Sequence, residues 1–240
     1  MENINIPRLA LIQALIDKNH YNNYLEIGVS IGTVFFRIRC RKKAAVDPEF
    51  GFNKFKIVSR SARLGNFSNL SAKYFEKTSD KFFEEDAGKL YHHDLDICLV
   101  DGMHEFSYAL NDIQHTLDHM SDNGVIVIHD CNPRGAENAC SFNEWKARGF
   151  TGEWNGDVWK SIVYLRSLRN DIDVFVADID YGLGIVRKKP AANNSKLSFR
   201  NFEEIDALDF SQLEMNRQHW LNLQPPHYLN DYFGLKLKFS

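Results

Sequence analysis

Tyr24-Leu25-Glu26-Ile27-Gly28-Val29-Ser30-Ile31-Gly32-Thr33, read together with Val46-Asp47-Pro48, decides the fold. A short apolar strand runs into two glycines four positions apart, and an acid closes the next strand 21 positions after Glu26. Glycines at such a turn let the backbone approach a ligand. An acid ending the neighbouring strand can accept hydrogen bonds from both hydroxyls of a ribose. The pattern belongs to an open α/β sheet with a site for an adenosine-bearing cofactor.

Working outward, residues 7–18 read as an amphipathic helix with Pro7 in its first turn and Leu9, Ile12, Leu15 and Ile16 on one face. Strands are expected at 23–28 and 43–47, with a helix of about two turns between them. Ser59 to Asn69 reads as irregular chain. A third strand at 73–77 leads into Thr78-Ser79-Asp80, good caps for a helix reaching about residue 89. Leu95–Val100 is the fourth strand, 106–120 a helix, and Gly124–Ile128 the fifth strand, which ends in His129-Asp130. A loop with a short helix over 142–147 follows, then a helix over 157–168. Strands at 173–177 and 184–187 sit close enough for an antiparallel hairpin at the sheet edge. The alternation predicts a doubly wound α/β fold: a mostly parallel seven-stranded sheet with an antiparallel last strand. Residues 1–190 form the expected cofactor-binding domain. Residues 191–240 form an extension packed on it, with a loop at 191–195 and two short helices within 201–223.

An apolar share of 44% and a charged share of 25% place the chain among ordinary globular proteins. A net charge of −3 without a long basic run argues against nucleic acid as the partner. No stretch approaches the roughly 18 apolar residues of a membrane span. No secretory signal is visible, and the expected setting is cytoplasmic with no membrane partner. The four cysteines lack metal or redox spacing and read as reduced thiols. The apolar first helix and the aromatic tail offer surfaces for a homo-oligomer.

The first loop lacks the third glycine of a dinucleotide fingerprint, and an acid precedes it. A carboxylate there would repel a pyrophosphate and suits the cationic ammonium and sulfonium of S-adenosylmethionine. Glu-x-Gly-x-x-x-Gly with a distant acid resembles the class I S-adenosylmethionine-dependent methyltransferases. A second constellation is Asp101-Gly102-Met103-His104, with Tyr108 and Asp112 downstream, and His129-Asp130 after the fifth strand. Two neighbouring strands thus each deliver an acid and a nearby imidazole to the crevice edge, where they can deprotonate a hydroxyl or hold a metal. This stretch resembles the bacterial family of macrocin O-methyltransferase-like and cephalosporin hydroxylase-like proteins over about residues 20–188.

The resemblance implies methyl transfer to a hydroxyl of a small molecule or a saccharide. Glu26, Gly28, Ser30 and Gly32 would border the amino-acid and sulfonium end of the cofactor, Asp47 its ribose, and Ser79 and Asp80 its adenine. Asp101 would lie at the transfer centre, with His104 as general base and His129 as the second candidate. Catechol O-methyltransferase-like enzymes hold magnesium with an Asp after the fourth strand and an Asp-Asn pair after the fifth. Asp101 and Asp130 match; Cys131 then intervenes before Asn132. A divalent ion at Asp101, Asp130, Cys131 and Asn132 would be magnesium or, given the nearby His and Cys, a softer ion. The alternatives are a metal- or metabolite-binding protein on this scaffold and a nicotinamide-dependent oxidoreductase.

Overall fold

The structure, a computed structural model, describes residues 6–190 and 197–238. The loop expected at 191–195 lies outside the described residues. Helix α1 (Pro7–Asn19) leads to β1 (Asn23–Ile27) and β2 (Lys42–Asp47). Helix α2 (Ile57–Leu64) and β3 (Lys73–Glu76) follow. Next come α3 (Ser79–Phe82), a π turn over Phe83–Ala87, and α4 (Gly88–Leu90). Strand β4 (Leu95–Val100), helix α5 (Phe106–His119) and strand β5 (Met120–Ile128) form the centre. Beyond the short α6 (Phe142–Ala147) lie α7 (Trp159–Leu168), β6 (Asp173–Ala177) and β7 (Leu183–Arg187). Helices α8 (Phe202–Asp206) and α9 (Phe210–Trp220), strand β8 (Leu223–Gln224) and helix α10 (Tyr228–Phe233) complete the order.

The sheet order is β3-β2-β1-β4-β5-β7-β6-β8. Strands β1 to β5 pair in parallel, and β7 runs antiparallel between β5 and β6. The seven expected strands are present, and the two-residue β8 adds an eighth beside β6, so the hairpin is not the edge. The order reverses between β1 and β4, which is where such sheets bind ligands, at the carboxyl ends of their strands. Both faces are covered, so successive strand residues enter opposite cores. Cys98, Val100, Ile126 and Ile128 pack against the face bearing α5, α7 and α9, while Ile97, Leu99, Val125 and Val127 face α1 and α10. Residues of the C-terminal stretch enter both cores: Ile205, Leu213 and Leu221 one, Leu229 and Phe233 the other. No helix among the described residues is long and apolar enough to cross a membrane.

Two expectations about the β1–β3 region are corrected. No helix joins β1 to β2: residues 28–41 run through turns, and the helix lies instead at α2, in the stretch read as irregular. The cause is a polar knot. Lys43 is buried, and its Nζ donates to Phe35 O (2.5 Å), Ile38 O (2.7 Å) and Asn69 Oδ1 (2.6 Å). The Asn66 amide donates to Phe36 O and Ile38 O, and the Asn69 amide to Phe36 O. Side chains thus bond the carbonyls that a helix would have bonded with its own N–H groups. Burial pulls the Lys43 pKa down to about 7. Three acceptors around one nitrogen nevertheless match the three hydrogens of an ammonium, so the charged form is the one the site satisfies. Lys43→Met orphans acceptors at this knot, and the expected loss is about 2–4 kcal/mol of folding stability. Urea denaturation of the variant checks this; a loss below about 0.5 kcal/mol would remove the knot as the reason for the non-helical segment.

Candidate active site

The site is built on the β1–β4 contact. Gly28 has φ +82°, and a Cβ placed on it would lie 1.9 Å from Asp101 O. Only glycine lets the β1 loop touch the end of β4. That contact makes one cavity of about 720 Å³ out of the glycine loop, the β2 tip and the residues after β4. The volume falls in the range of about 300–1,000 Å³ typical of small-molecule sites.

Glu26, Gly28, Ser30, Asp47, Ser79, Asp80, Asp101 and His104 all line this one cavity. Gly32 stands outside it. Its φ is +74° and a Cβ there would lie 2.5 Å from the Phe36 ring, so this glycine shapes the loop instead. Asp47 accepts the N–H groups of Ser30 (2.7 Å, Oδ2) and Glu49 (2.9 Å, Oδ1), so the acid is fixed at the lip of β2. Glu26 is buried, and the Tyr24 hydroxyl donates to it. Burial pushes its pKa up to about 8. The free protein therefore holds Glu26 largely protonated, and a cation entering the cavity would draw it toward the carboxylate.

Beyond Asp101 lies a dense charge cluster. His104 Nδ1 stands 2.8 Å from Trp154 O and 3.2 Å from Asp130 Oδ2, and its Nε2 is 3.7 Å from Asp101 Oδ1. His129 Nδ1 lies 3.1 Å from Asp101 and 3.0 Å from Asp130, and its Nε2 faces Arg8 and Asp180. Burial disfavours charge on both imidazoles, but the surrounding carboxyls outweigh it and raise both pKa values, His129 strongly. Burial likewise works against the charge on Asp101, yet His129, His104 and Arg8 hold it below the ordinary range. Asp180 is drawn down to about 2, against its burial, by His129 and Arg8.

Arg8, Asp180 and Asn155 belong to this cluster and were not found from sequence; Trp154, an aromatic that the sequence offers for an acceptor pocket, joins them. Arg8 projects from α1 and donates from Nη1 to both Asp180 oxygens at 2.8 Å, while its Nε lies 3.6 Å from Asp101. Asp180 and Tyr181 are the central residues of a turn closed by Gly182 N–H to Ile179 O (2.9 Å), with φ of 54° and 59°. That is a type I′ geometry, and it carries Asp180 from the β6–β7 hairpin to the site. Asn155 donates to Asp130, and the Trp154 ring stacks on His104 at 5.1 Å. A lone Arg in a first helix and an Asp in a hairpin turn carry no motif; long-range pairing alone brings them in.

Among the described residues, the group whose ligand atoms converge enough to hold an ion is Asp101, His104 and Asp130. Cys131 and Asn132, expected beside them, are placed elsewhere. Cys131 is fully buried against Gly184, and burial raises its thiol pKa. Asn132 donates to Asp178 and accepts from Arg217. Asp130 itself is left-handed, at φ 62°, and this turns both away.

Residues 25–131 match the model of a family described as a methyltransferase domain. No curated protein sequence matches the chain significantly. Among solved structures, cofactor-bound Rv0187 from MTB superposes with a TM-score of 0.57 at 12% identity, covering 80% of this chain and 84% of that one. TomG of Streptomyces achromogenes, an O-methyltransferase of tomaymycin synthesis solved with SAM, gives 0.56 at 12% identity over 78% and 81%. A Klebsiella pneumoniae protein provisionally described as an O-methyltransferase gives 0.58 at 10% over 78% and 82%. Identities this low establish the shared fold.

Asp112 lines the same cavity from α5 and is buried, and burial pushes its pKa up to about 7. Between about pH 4 and 7 the unfolded chain ionises this acid while the folded one keeps its proton, so stability falls as pH rises through that window. Asp112→Asn removes the effect and is expected to exceed the parent by about 2–4 kcal/mol above about pH 8, with no gain near pH 3. Urea titrations at the two pH values check this, and an equal gain at both would contradict it.

Proposed function

We propose that this chain, whose residues 25–131 match the model of a methyltransferase domain, is a class I S-adenosylmethionine-dependent methyltransferase that transfers a methyl group to a hydroxyl of a small molecule or a sugar. The observation that carries this reading is the single cavity joining Asp47, at the tip of β2, to Asp101 and His104 beyond β4. S-adenosylmethionine, when bound, supplies an electrophilic methyl group beside a positive charge. Gly28, Ser30 and Glu26 line the part of the cavity suited to its cationic end, Asp47 takes the ribose, and Ser79 and Asp80 lie toward the adenine. The carboxyls of Glu26 and Asp101 favour positive charge in the cavity.

His104 is assigned the general base. Its Nδ1 faces the Trp154 carbonyl, which can only accept, so that nitrogen carries the hydrogen. Nε2 is left to take the proton of the acceptor hydroxyl, and Asp101 beside it stabilises the imidazolium formed. His104 is also the one histidine among the described residues lining the cavity; His129 has both nitrogens turned to Asp101, Asp130, Asp180 and Arg8. His129 is therefore assigned to holding Asp101 in place. Much of the rate enhancement rests on holding the acceptor oxygen in line with the methyl group. Four free thiols suit a reducing cytoplasm.

A second reading rests on the convergence of Asp101, His104 and Asp130. A divalent ion held by these three would act as a Lewis acid, lowering the pKa of the acceptor hydroxyl. Two oxygen donors and one imidazole fit zinc, manganese or iron as well as magnesium.

Calorimetric titration with S-adenosylhomocysteine before and after chelator treatment tests both. Binding in both states is expected; no binding in either would overturn the cofactor site. His104→Ala is expected to lower kcat by about 10²–10⁴-fold with S-adenosylhomocysteine affinity unchanged. Because its pKa is raised above 6.5, parental activity should climb with pH through a limb lying above 6.5, and the variant should lack that limb. Full turnover in His104→Ala would remove it as the base.

A further inference from the structure

Five of the exposed large apolar side chains fall between residues 31 and 70: Ile31, Phe55, Val58, Phe67 and Leu70. Phe55 is 95% exposed, Phe67 66% and Val58 65%. The same stretch is strongly basic. Between Glu49 and Glu76 there is no acid, while Lys54, Lys56, Arg60, Arg63 and Lys73 supply five positive charges in a chain whose net charge is −3. Glu76, at the edge, pairs with Lys54. A hollow of about 330 Å³ beside α2 is lined by Lys56, Arg60 and Arg63 together with Phe36, Phe52 and Ile57. Burial, and then the neighbouring Arg37 and Arg63, lower the Arg60 pKa, a sign of positive charge crowded without a counter-ion.

We propose that the surface formed by residues 52–70 docks onto an anionic lipid bilayer, its cations meeting headgroup phosphates and Phe55 and Phe67 entering the interface. Charge complementarity selects this occupant. A second copy bound through a two-fold contact would set this basic patch against itself, which is repulsive. A nucleic acid would meet the cations and leave exposed Phe, Val and Leu side chains facing its phosphates. Basic residues alternating with exposed aromatic and aliphatic ones are what an interfacial element needs, and cytoplasmic leaflets are anionic. The expectation of no membrane partner rested on the lack of a spanning segment, which peripheral docking does not need.

The docking surface is braced to the cofactor cavity. Arg60 donates to Ile31 O (2.7 Å) and Gly32 O (3.2 Å), and Ile31 both lines the cavity and is 56% exposed. Docking therefore puts the rim of the cavity beside the bilayer, where an acceptor carried on a lipid would arrive. The docking itself is independent of the methyl-transfer reading.

The test is co-sedimentation of the full chain with phosphatidylcholine vesicles, with and without phosphatidylglycerol. Sedimentation only with the anionic vesicles is expected, falling at least about tenfold as salt is raised from about 0.1 M to about 0.5 M. Removing two cations in Lys56→Gln/Arg63→Gln should weaken partition about thirty-fold. Phe55→Ser/Phe67→Ser should weaken it about tenfold or more. Urea midpoints equal to the parent establish that both variants are folded. The proposal fails if the parent stays in solution with anionic vesicles, or partitions equally onto neutral ones. It also fails if an oligonucleotide is bound more tightly than the vesicles, or if the Phe variant binds as the parent does.

Discussion

Everything at the site depends on how closely two chain segments approach at the β1–β4 junction. Gly28 lies against the backbone of Asp101 and Gly102, with no room for a Cβ between them. The approach converts two separate motifs, the glycine loop and Asp101-Gly102-Met103-His104, into walls of one cavity. The junction is also where strand order reverses, so the neighbouring crossovers leave in opposite directions and open a crevice. The union of the two motifs in one cavity thus rests on one steric fact about one residue.

Electrostatic balance is the second organising constraint. Three carboxyls, Asp101, Asp130 and Asp180, share a half-buried space with Arg8, His104 and His129. Like charges alternate with unlike ones, so burial is offset by attraction at each group. Asp101 has contacts with Arg8 and both imidazoles, which keeps its carboxylate charged and its orientation fixed. A site built this way is preorganised: its dipoles and charges are aimed before any ligand arrives.

Much of this was legible in the chain. The strands at Leu95–Val100 and Asp173–Ala177 and the short helix at Phe142–Ala147 announce themselves through apolar runs and capping residues. The parallel order and the antiparallel hairpin followed from the alternation of elements. The glycine loop and the acid-imidazole pairs were legible because their spacing is local; the structure puts Gly28, Asp101 and His104 on one cavity and sets His129 and Asp130 against them from outside its lining. What escaped was non-local. The helix expected after β1 is absent because Lys43, Asn66 and Asn69 satisfy its carbonyls from outside, a competition that a window of sequence does not contain. Cys131 and Asn132 look adjacent to Asp130 in sequence, but a left-handed residue between strand and loop sends them elsewhere. Arg8 and Asp180 carry no signal of their own; they matter only because tertiary structure makes them neighbours.

The Arg8–Asp180 pair has a consequence for how the protein comes into being. Its partners stand 172 residues apart, one on the first helix and the other in the turn of the last hairpin. During synthesis from the N-terminus, α1 and the first five strands emerge well before that turn does. Arg8 must therefore wait, and Asp101 and His129 lack their full complement of counter-charges until the hairpin docks. Loop closure over so long a span is entropically slow, which places completion of the site among the last events of folding. A nascent chain can hold its glycine loop and its central sheet and still be inert, so that activity marks a finished fold.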